Sequence, residues 1–258
     1  MINVTKSYLP EKQIYFEYLE KIWENNHLTN HGPLVLELER KLRERFNVKQ
    51  LFFVNNVTIA LQIALKAIGA SEKVITTPFS YVATTSSIVW ENLQPVFADI
   101  DEKSLCIDPT KVELLAQQGI KYLLATHVYG NPCDVKKIEE IANKYGIKVI
   151  YDAAHAFDIN YDGTSILNYG DISTLSFHAT KLFHTVEGGA IVTNDDKLAH
   201  KISYMRNFGH NGPEEFWGLG INGKTSEFNA AMGLCVLPNV KKIIDSRRDI
   251  DITYREKL

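Results

Sequence analysis

No apolar run in this sequence approaches the ~20 residues that a membrane span requires, and Met1-Ile-Asn-Val-Thr-Lys6 carries no apolar signal core. Cysteine is scarce. The three present, Cys106, Cys133 and Cys235, are odd in number, far apart and without metal-ligand spacing. They read as free thiols in a reducing compartment, and a disulfide scaffold or a thiolate metal centre is excluded. Neither sign of charge dominates: the formal net charge is −3 and the sequence pI is about 6.2. That balance gives no electrostatic case for nucleic acid. There is no low-complexity segment, no internal repeat, and no Gly-x-Gly-x-x-Gly after the early strands, which argues against a plain dinucleotide-binding chain. A soluble cytoplasmic protein is expected, with no membrane partner.

What the chain does have is 258 residues at 45% hydrophobic content, enough for one large domain or one domain plus a small appendage. Residues 11–25 and 34–46 show amphipathic helical spacing, separated by the turn Thr29-Asn-His-Gly-Pro33. Strands are expected at 51–54, 73–76, 95–98, 122–125, 149–151, 173–176 and 190–192. Helices are expected at 58–68, 80–90, 134–145 and 198–207, and again at 226–235 and 239–258. Such alternation implies βαβ units and a mostly parallel sheet covered by helices, an α/β fold. Ligands of open α/β sheets sit beyond the carboxyl ends of the strands. Asn55, Asn56, Asp99, His127, Asp152 and Ser176 all fall at or just past strand ends, which marks that edge as the site. The last helical stretch, from Asp245 to Leu258, halts in mid-pattern without a capping signal and reads as truncated or as a chain that normally continues.

Two residues carry the chemistry. Asp152 ends the apolar run before Ala153-Ala-His155, and Lys181 ends Ser176-Phe-His-Ala-Thr-Lys181, with Glu187-Gly-Gly-Ala190 shortly after. A strand-end carboxylate followed by a lysine in a small-residue turn is what pyridoxal phosphate (PLP) chemistry needs. The amine condenses with the cofactor aldehyde, and the acid keeps the pyridine nitrogen protonated. A random lysine has a functional role at only ~5%, being an ordinary solvated group. To attack an aldehyde Lys181 must be neutral, and low dielectric with a nearby cation lowers its pKa. Taken alone, Asp152 is as well explained as a turn cap, and His155 as a satisfied core histidine. In context His155 could hydrogen-bond the cofactor's phenolic oxygen. The segment Asn55–Leu61 leads a strand into a helix start, where free N–H groups and the dipole favour phosphate; an ordinary cap by Asn56 or Thr58 explains it equally. Tyr81 could stack on a ring cofactor, although core packing is favoured two to one. A hydroxyl contact from Ser176 to phosphate is plausible on its position. His127 and the Asp99/Asp101 pair are weaker signals. The pair's side chains point to opposite strand faces, which discounts a metal.

In combination and order these segments resemble the DegT/DnrJ/EryC1/StrS family of PLP-dependent sugar aminotransferases. The resemblance runs through Leu28–Pro33, Asn56–Leu61, Thr77–Thr84, Pro95–Asp101, His127–Pro132, Asp152–His155, Ser176–Lys181, Glu187–Gly189, Arg206–Asn207 and Gly220–Asn222 leading to Ala230–Ala231. It implies the type I, aspartate aminotransferase-like PLP fold. Residues 1–240 would form the large domain with an N-terminal helical arm, and 241–258 would start a helix toward a small C-terminal domain that is cut short. By motif position the resemblance makes Lys181 the Schiff-base lysine, Asp152 the pyridinium partner and His155 the neighbour of the phenolic oxygen. Tyr81 would stack on the ring, the backbone at Thr58 and Ile59 with Ser176 would hold the phosphate, and Asn222 would reach the cofactor of the other subunit. A homodimer with shared active sites follows. The lysine motif is similar to the 4-ketosugar branch, whose members aminate nucleotide-linked 4-keto-6-deoxyhexoses with glutamate as donor. Within that branch it most resembles enzymes making dTDP-4-amino-4,6-dideoxyglucose for surface polysaccharide.

Departures from the family pattern are Val57 where glycine is usual, which requires an ordinary backbone conformation there, and Lys224 where arginine is common, which loses a bidentate contact. The family's sugar dehydratases carry histidine at the lysine position, so Lys181 argues against that class. A truncated, catalytically impaired PLP-binding remnant, or a regulatory one, is the remaining alternative.

Overall fold

The computed structural model describes residues 5–258. Helix α1 (Lys12–Asn25) closes on left-handed Asn26, and α2 (Pro33–Phe46) opens on a proline and closes on left-handed Asn47. Proline suits the first helical position because its missing N–H would be unpaired there anyway. The cap of α2 comes from far along the chain: Glu227 accepts from the backbone N–H groups of Leu34 (2.8 Å) and Val35 (3.0 Å). Gly32 makes room for it, since a Cβ there would stand 2.5 Å from the Glu227 carboxyl carbon.

Strand β1 (Gln50–Val54) then leads into α3 (Val57–Ala67), β2 (Lys73–Thr76) into α4 (Val82–Trp90), and β3 (Gln94–Phe97) into α5 (Pro109–Gln117). Strand β4 (Tyr122–Thr126) leads into α6 (Val135–Tyr145) and β5 (Lys148–Asp152) follows. A two-stranded hairpin, β6 (Asn160–Tyr161) and β7 (Thr164–Ser165), precedes β8 (Ile172–Ser176) and β9 (Gly189–Thr193). Helices α7 (Asp196–Met205), α8 (Glu227–Val236) and α9 (Val240–Lys257) complete the order. The main sheet runs β1-β9-β8-β5-β4-β2-β3, with β9 antiparallel to both neighbours and the remaining pairs parallel.

Each expected strand is present in this sheet, and the expected mostly parallel α/β architecture holds. Alternate residues of the central strands feed two separate cores. Leu123, Val149, Tyr151, Leu175, Ala190 and Val192 pack on one face. Leu124, Ile150, Ile172 and Ile191 pack on the other with α3, α4 and α7. Strands buried on both faces explain the continuous apolar runs of the sequence. Two elements went unforeseen. Helix α5 buries only Val112 and Ala116, too sparse a stripe for periodicity to reveal, although Asp108 capping Thr110 before Pro109 was a legible start signal. The hairpin turns on Asp162-Gly163, both with positive φ, the turn chemistry of a two-residue loop.

Candidate active site

Because β5, β8, β4 and β2 run parallel, their carboxyl ends share one edge, and β9 begins there at Gly189, paired with Ser176 and Val54. A cavity of about 580 Å³ opens at that edge, lined among others by Thr58, Tyr81, Asp152, His155, Ser176 and Lys181. Six of the eight residues expected to form the site are therefore brought together. The volume lies within the range of small-molecule sites.

Asp152 is the floor. It is 4% exposed. One carboxylate oxygen accepts from the Thr84 hydroxyl at 2.8 Å and the other from the Ala154 N–H at 3.1 Å. Burial pushes its pKa up, against those two hydrogen bonds and the weaker pull of His155 and Lys181. Lys181 stands half-buried in the turn after β8, its own N–H donating to the His178 carbonyl at 2.9 Å. Burial pushes its pKa down, opposed by the charge of Asp152. The pocket thus drives a buried acid and an amine toward their neutral forms, which is the signature of a reactive site.

His155 is held by the chain at Tyr129, whose N–H donates to Nδ1 at 3.3 Å. Burial, then the charge of Lys181, pushes the His155 pKa down, so the neutral ring prevails. With Nδ1 accepting, the proton sits on Nε2, leaving a donor for a ligand. Tyr129 reaches this position with φ of 55°, a left-handed conformation that a bulky residue rarely adopts.

The helix start of α3 reaches the cavity through Val57 and Thr58. Asn56 caps the Ile59 N–H at 2.9 Å, so Ile59 has no free donor, and it does not line the cavity. Of the expected pair, Thr58 lines the cavity and Ile59 does not. The first-turn amides left without an intrahelical partner are those of Val57 and Thr58, and both residues face the cavity. Val57 lies in ordinary helical backbone, as its branched side chain requires. The glycine pair explains itself by close approach: a Cβ on Gly189 would stand 2.8 Å from the Val57 nitrogen, and one on Gly188 would stand 2.1 Å from Thr185 Oγ1.

Three further candidates lie outside the cavity. Asn222 is exposed and outside the cavity, accepting from Lys224 Nζ at 2.8 Å. His127 is fully buried, stacked on Tyr151 at 4.7 Å, and accepts from the Cys133 N–H at 3.0 Å. It is a packing residue because its ring turns into the apolar layer. Asp101 caps its own turn through the N–H groups of Lys103 and Ser104, and Asp99 accepts from the Ile100 N–H at 2.8 Å. The residue missed outright is Thr84. Its signal was a threonine three positions after Tyr81, on the buried face of a short helix.

Comparison with known proteins agrees with this geometry. A family model for the DegT/DnrJ/EryC1/StrS aminotransferases matches residues 11–258. The dTDP-4-amino-4,6-dideoxy-D-glucose transaminase of Shigella dysenteriae is 47% identical over 257 residues, covering 100% of this chain and 70% of that protein. The transaminase of the same name from Escherichia coli is 43% identical over 258 residues, with coverage of 100% and 70%. Among solved structures, DesI in the presence of its TDP-sugar product superposes with a TM-score of 0.94 at 34% identity, over 99% of this chain and 65% of DesI. The chain thus spans roughly two thirds of these relatives. It belongs to the DegT/DnrJ/EryC1/StrS aminotransferase family, whose members work with pyridoxal phosphate.

Proposed function

We propose that the chain transfers an amino group from glutamate to a nucleotide-linked 4-keto-6-deoxyhexose, in the cytoplasm, for surface polysaccharide. The single observation that carries this reading is the shared cavity of Lys181 and Asp152, each driven toward neutrality by burial. The names of the two dideoxyglucose transaminases support the sugar class and a dTDP carrier.

The residues fit the cofactor on their own chemistry. Asp152 is a buried acid whose partners are a hydroxyl and an amide rather than a cation. A protonated ring nitrogen supplies the missing positive charge. The amides of Val57 and Thr58, with Ser176, suit a phosphate. Tyr81 stands at the rim, where an aromatic face suits a ring. When bound, pyridoxal phosphate supplies an aldehyde for amine exchange and a ring that accepts electrons. Burial favours the neutral form of Lys181 Nζ, so this amine would be the group that holds the cofactor aldehyde and that, once released, could take and return a proton at Nζ. His155 Nε2, with Nδ1 already accepting from the Tyr129 N–H, would be free to donate a hydrogen bond to the ring's oxygen. In this reading residues 1–240 are the cofactor-binding domain.

A homodimer completes the proposal. In the chain segment that carries Asn222, Phe208, Phe216, Trp217, Leu219 and Ile221 are all exposed. An apolar surface of this kind suits burial against a second copy, from which Asn222 would reach the partner's phosphate site.

The test is an absorption spectrum of purified chain with pyridoxal phosphate, beside Lys181→Ala, before and after glutamate. A visible band confined to the wild type and bleached by glutamate is expected. No band in either protein would overturn the proposal.

A further inference from the structure

Between Lys181 and β9 the chain makes a turn that is costly to hold. Val186, β-branched, sits at φ of 67°, a region such residues avoid. Strain of this kind persists only where the surroundings enforce it, and it gathers at functional sites. Here the enforcement is visible. Asn229, in the first turn of α8, donates through Nδ2 to the carbonyls of Thr185 (2.7 Å) and Glu187 (2.9 Å), bracketing Val186 from both sides. Its own side-chain oxygen is held by the Ser226 hydroxyl at 2.5 Å. The Thr185 hydroxyl donates to the Glu187 carbonyl at 2.8 Å, and the Val186 N–H donates to His184 Nδ1 at 3.3 Å.

What this turn displays is the Glu187 side chain. It lines the cavity with Lys181, and one carboxylate oxygen lies 3.6 Å from His178 Nε2, a neighbour on the same wall. Its backbone is locked while its side chain remains 61% exposed. A carboxylate is an acceptor with no donor of its own. It repels the pyrophosphate of a nucleotide and the carboxylates of an amino donor. Groups that suit it are neutral hydroxyls, and adjacent hydroxyls of a hexose can fill both oxygens.

We propose that Asn229 is a positioning residue: it clamps the strained turn at Val186 so that Glu187 stands at the cavity wall and accepts hydrogen bonds from the hydroxyls of the substrate's hexose. This rests on the nucleotide-sugar reading above. Glu187 is the contact, and Asn229 acts through it.

The test is calorimetric titration of the cofactor-loaded chain with dTDP-glucose, which offers no ketone to aminate, and with dTDP. The quantity read is the ratio of the two affinities. Glu187→Gln is expected to lower the dTDP-glucose to dTDP ratio by roughly ten- to a hundredfold, as for a lost hydrogen bond to a charged group. Asn229→Ala should lower the same ratio while dTDP affinity stays unchanged. Glycine adopts positive φ freely, so Val186→Gly introduced into Asn229→Ala should restore the ratio, a rescue that a merely structural defect would not show. An unchanged ratio in Glu187→Gln, or equal losses for both ligands in Asn229→Ala, would overturn the inference and leave the nucleotide-sugar reading standing. A wild-type chain that binds neither ligand would overturn both.

Discussion

Two juxtapositions of an acid and a basic side chain among the described residues are built in opposite ways. Glu39 and Arg206 are closed on one another. The guanidinium reaches the carboxylate at 2.5 Å, the Phe53 N–H donates to the same oxygen at 2.8 Å, and Arg206 also donates to the Phe53 carbonyl at 3.2 Å. The pair ties α2, β1 and the end of α7 together. Asp152 and Lys181 share a cavity without forming an ion pair, and burial shifts both toward neutrality. A structural pair satisfies its charges internally. A reactive pair leaves them for a ligand to satisfy, and the fold bears the cost until the ligand arrives.

That contrast can be broken at each side. Lys181→Ala should lose transamination by about a thousandfold or more while keeping its fold, read by product formation and by circular dichroism. Arg206→Met should do the reverse. An uncompensated buried Glu39 costs roughly 3–5 kcal/mol, visible as a lower midpoint in denaturant, while the protein that remains folded keeps its cofactor band. Retained stability in Arg206→Met would dissolve the distinction. Thr84→Val sharpens it further. Removing the hydroxyl that donates to Asp152 disfavours the carboxylate, so pyridoxal phosphate affinity should fall about tenfold with little change in melting.

A pH-dependent effect belongs to His127, which burial pushes down from 6.5 to about 3. The unfolded chain therefore takes up this proton before the folded one does. Stability should rise with pH across the window from about 3 to 6.5 and be lost as pH falls through it. His127→Asn, which keeps an acceptor for the Cys133 N–H, should flatten that slope in acid denaturation curves.

The sheet was legible because its strands are buried on both faces and therefore read as unbroken apolar runs. Its site edge was legible because Asp152 and Ser176 each interrupt such a run with one polar residue at its end. The same logic misassigned His127, since strand-end position says nothing about which way a ring turns. The capped amide of Ile59 was illegible for a local reason: whether Asn56 spends its side chain on the amide three residues on is a matter of cap geometry. Thr84 and Asn229 stayed hidden because each acts across the fold, on Asp152 and on the Val186 turn. No spacing along the chain encodes such a meeting. Asn222 lies outside the cavity of its own chain, so only the proposed second copy gives it a role.

The most direct measurement is a set of melting curves for the wild type and Asp152→Asn at neutral pH, with and without pyridoxal phosphate. Burial raises the folded pKa of Asp152 above its ordinary value, so its contribution to stability is lost as pH rises through that raised pKa. Without cofactor, Asp152→Asn should therefore melt slightly above the wild type. With cofactor the order should reverse, because only the carboxylate can answer a protonated ring nitrogen. A variant that melts lower in the absence of cofactor, and gains as much as the wild type in its presence, would contradict the claim that this acid is held open for a ligand.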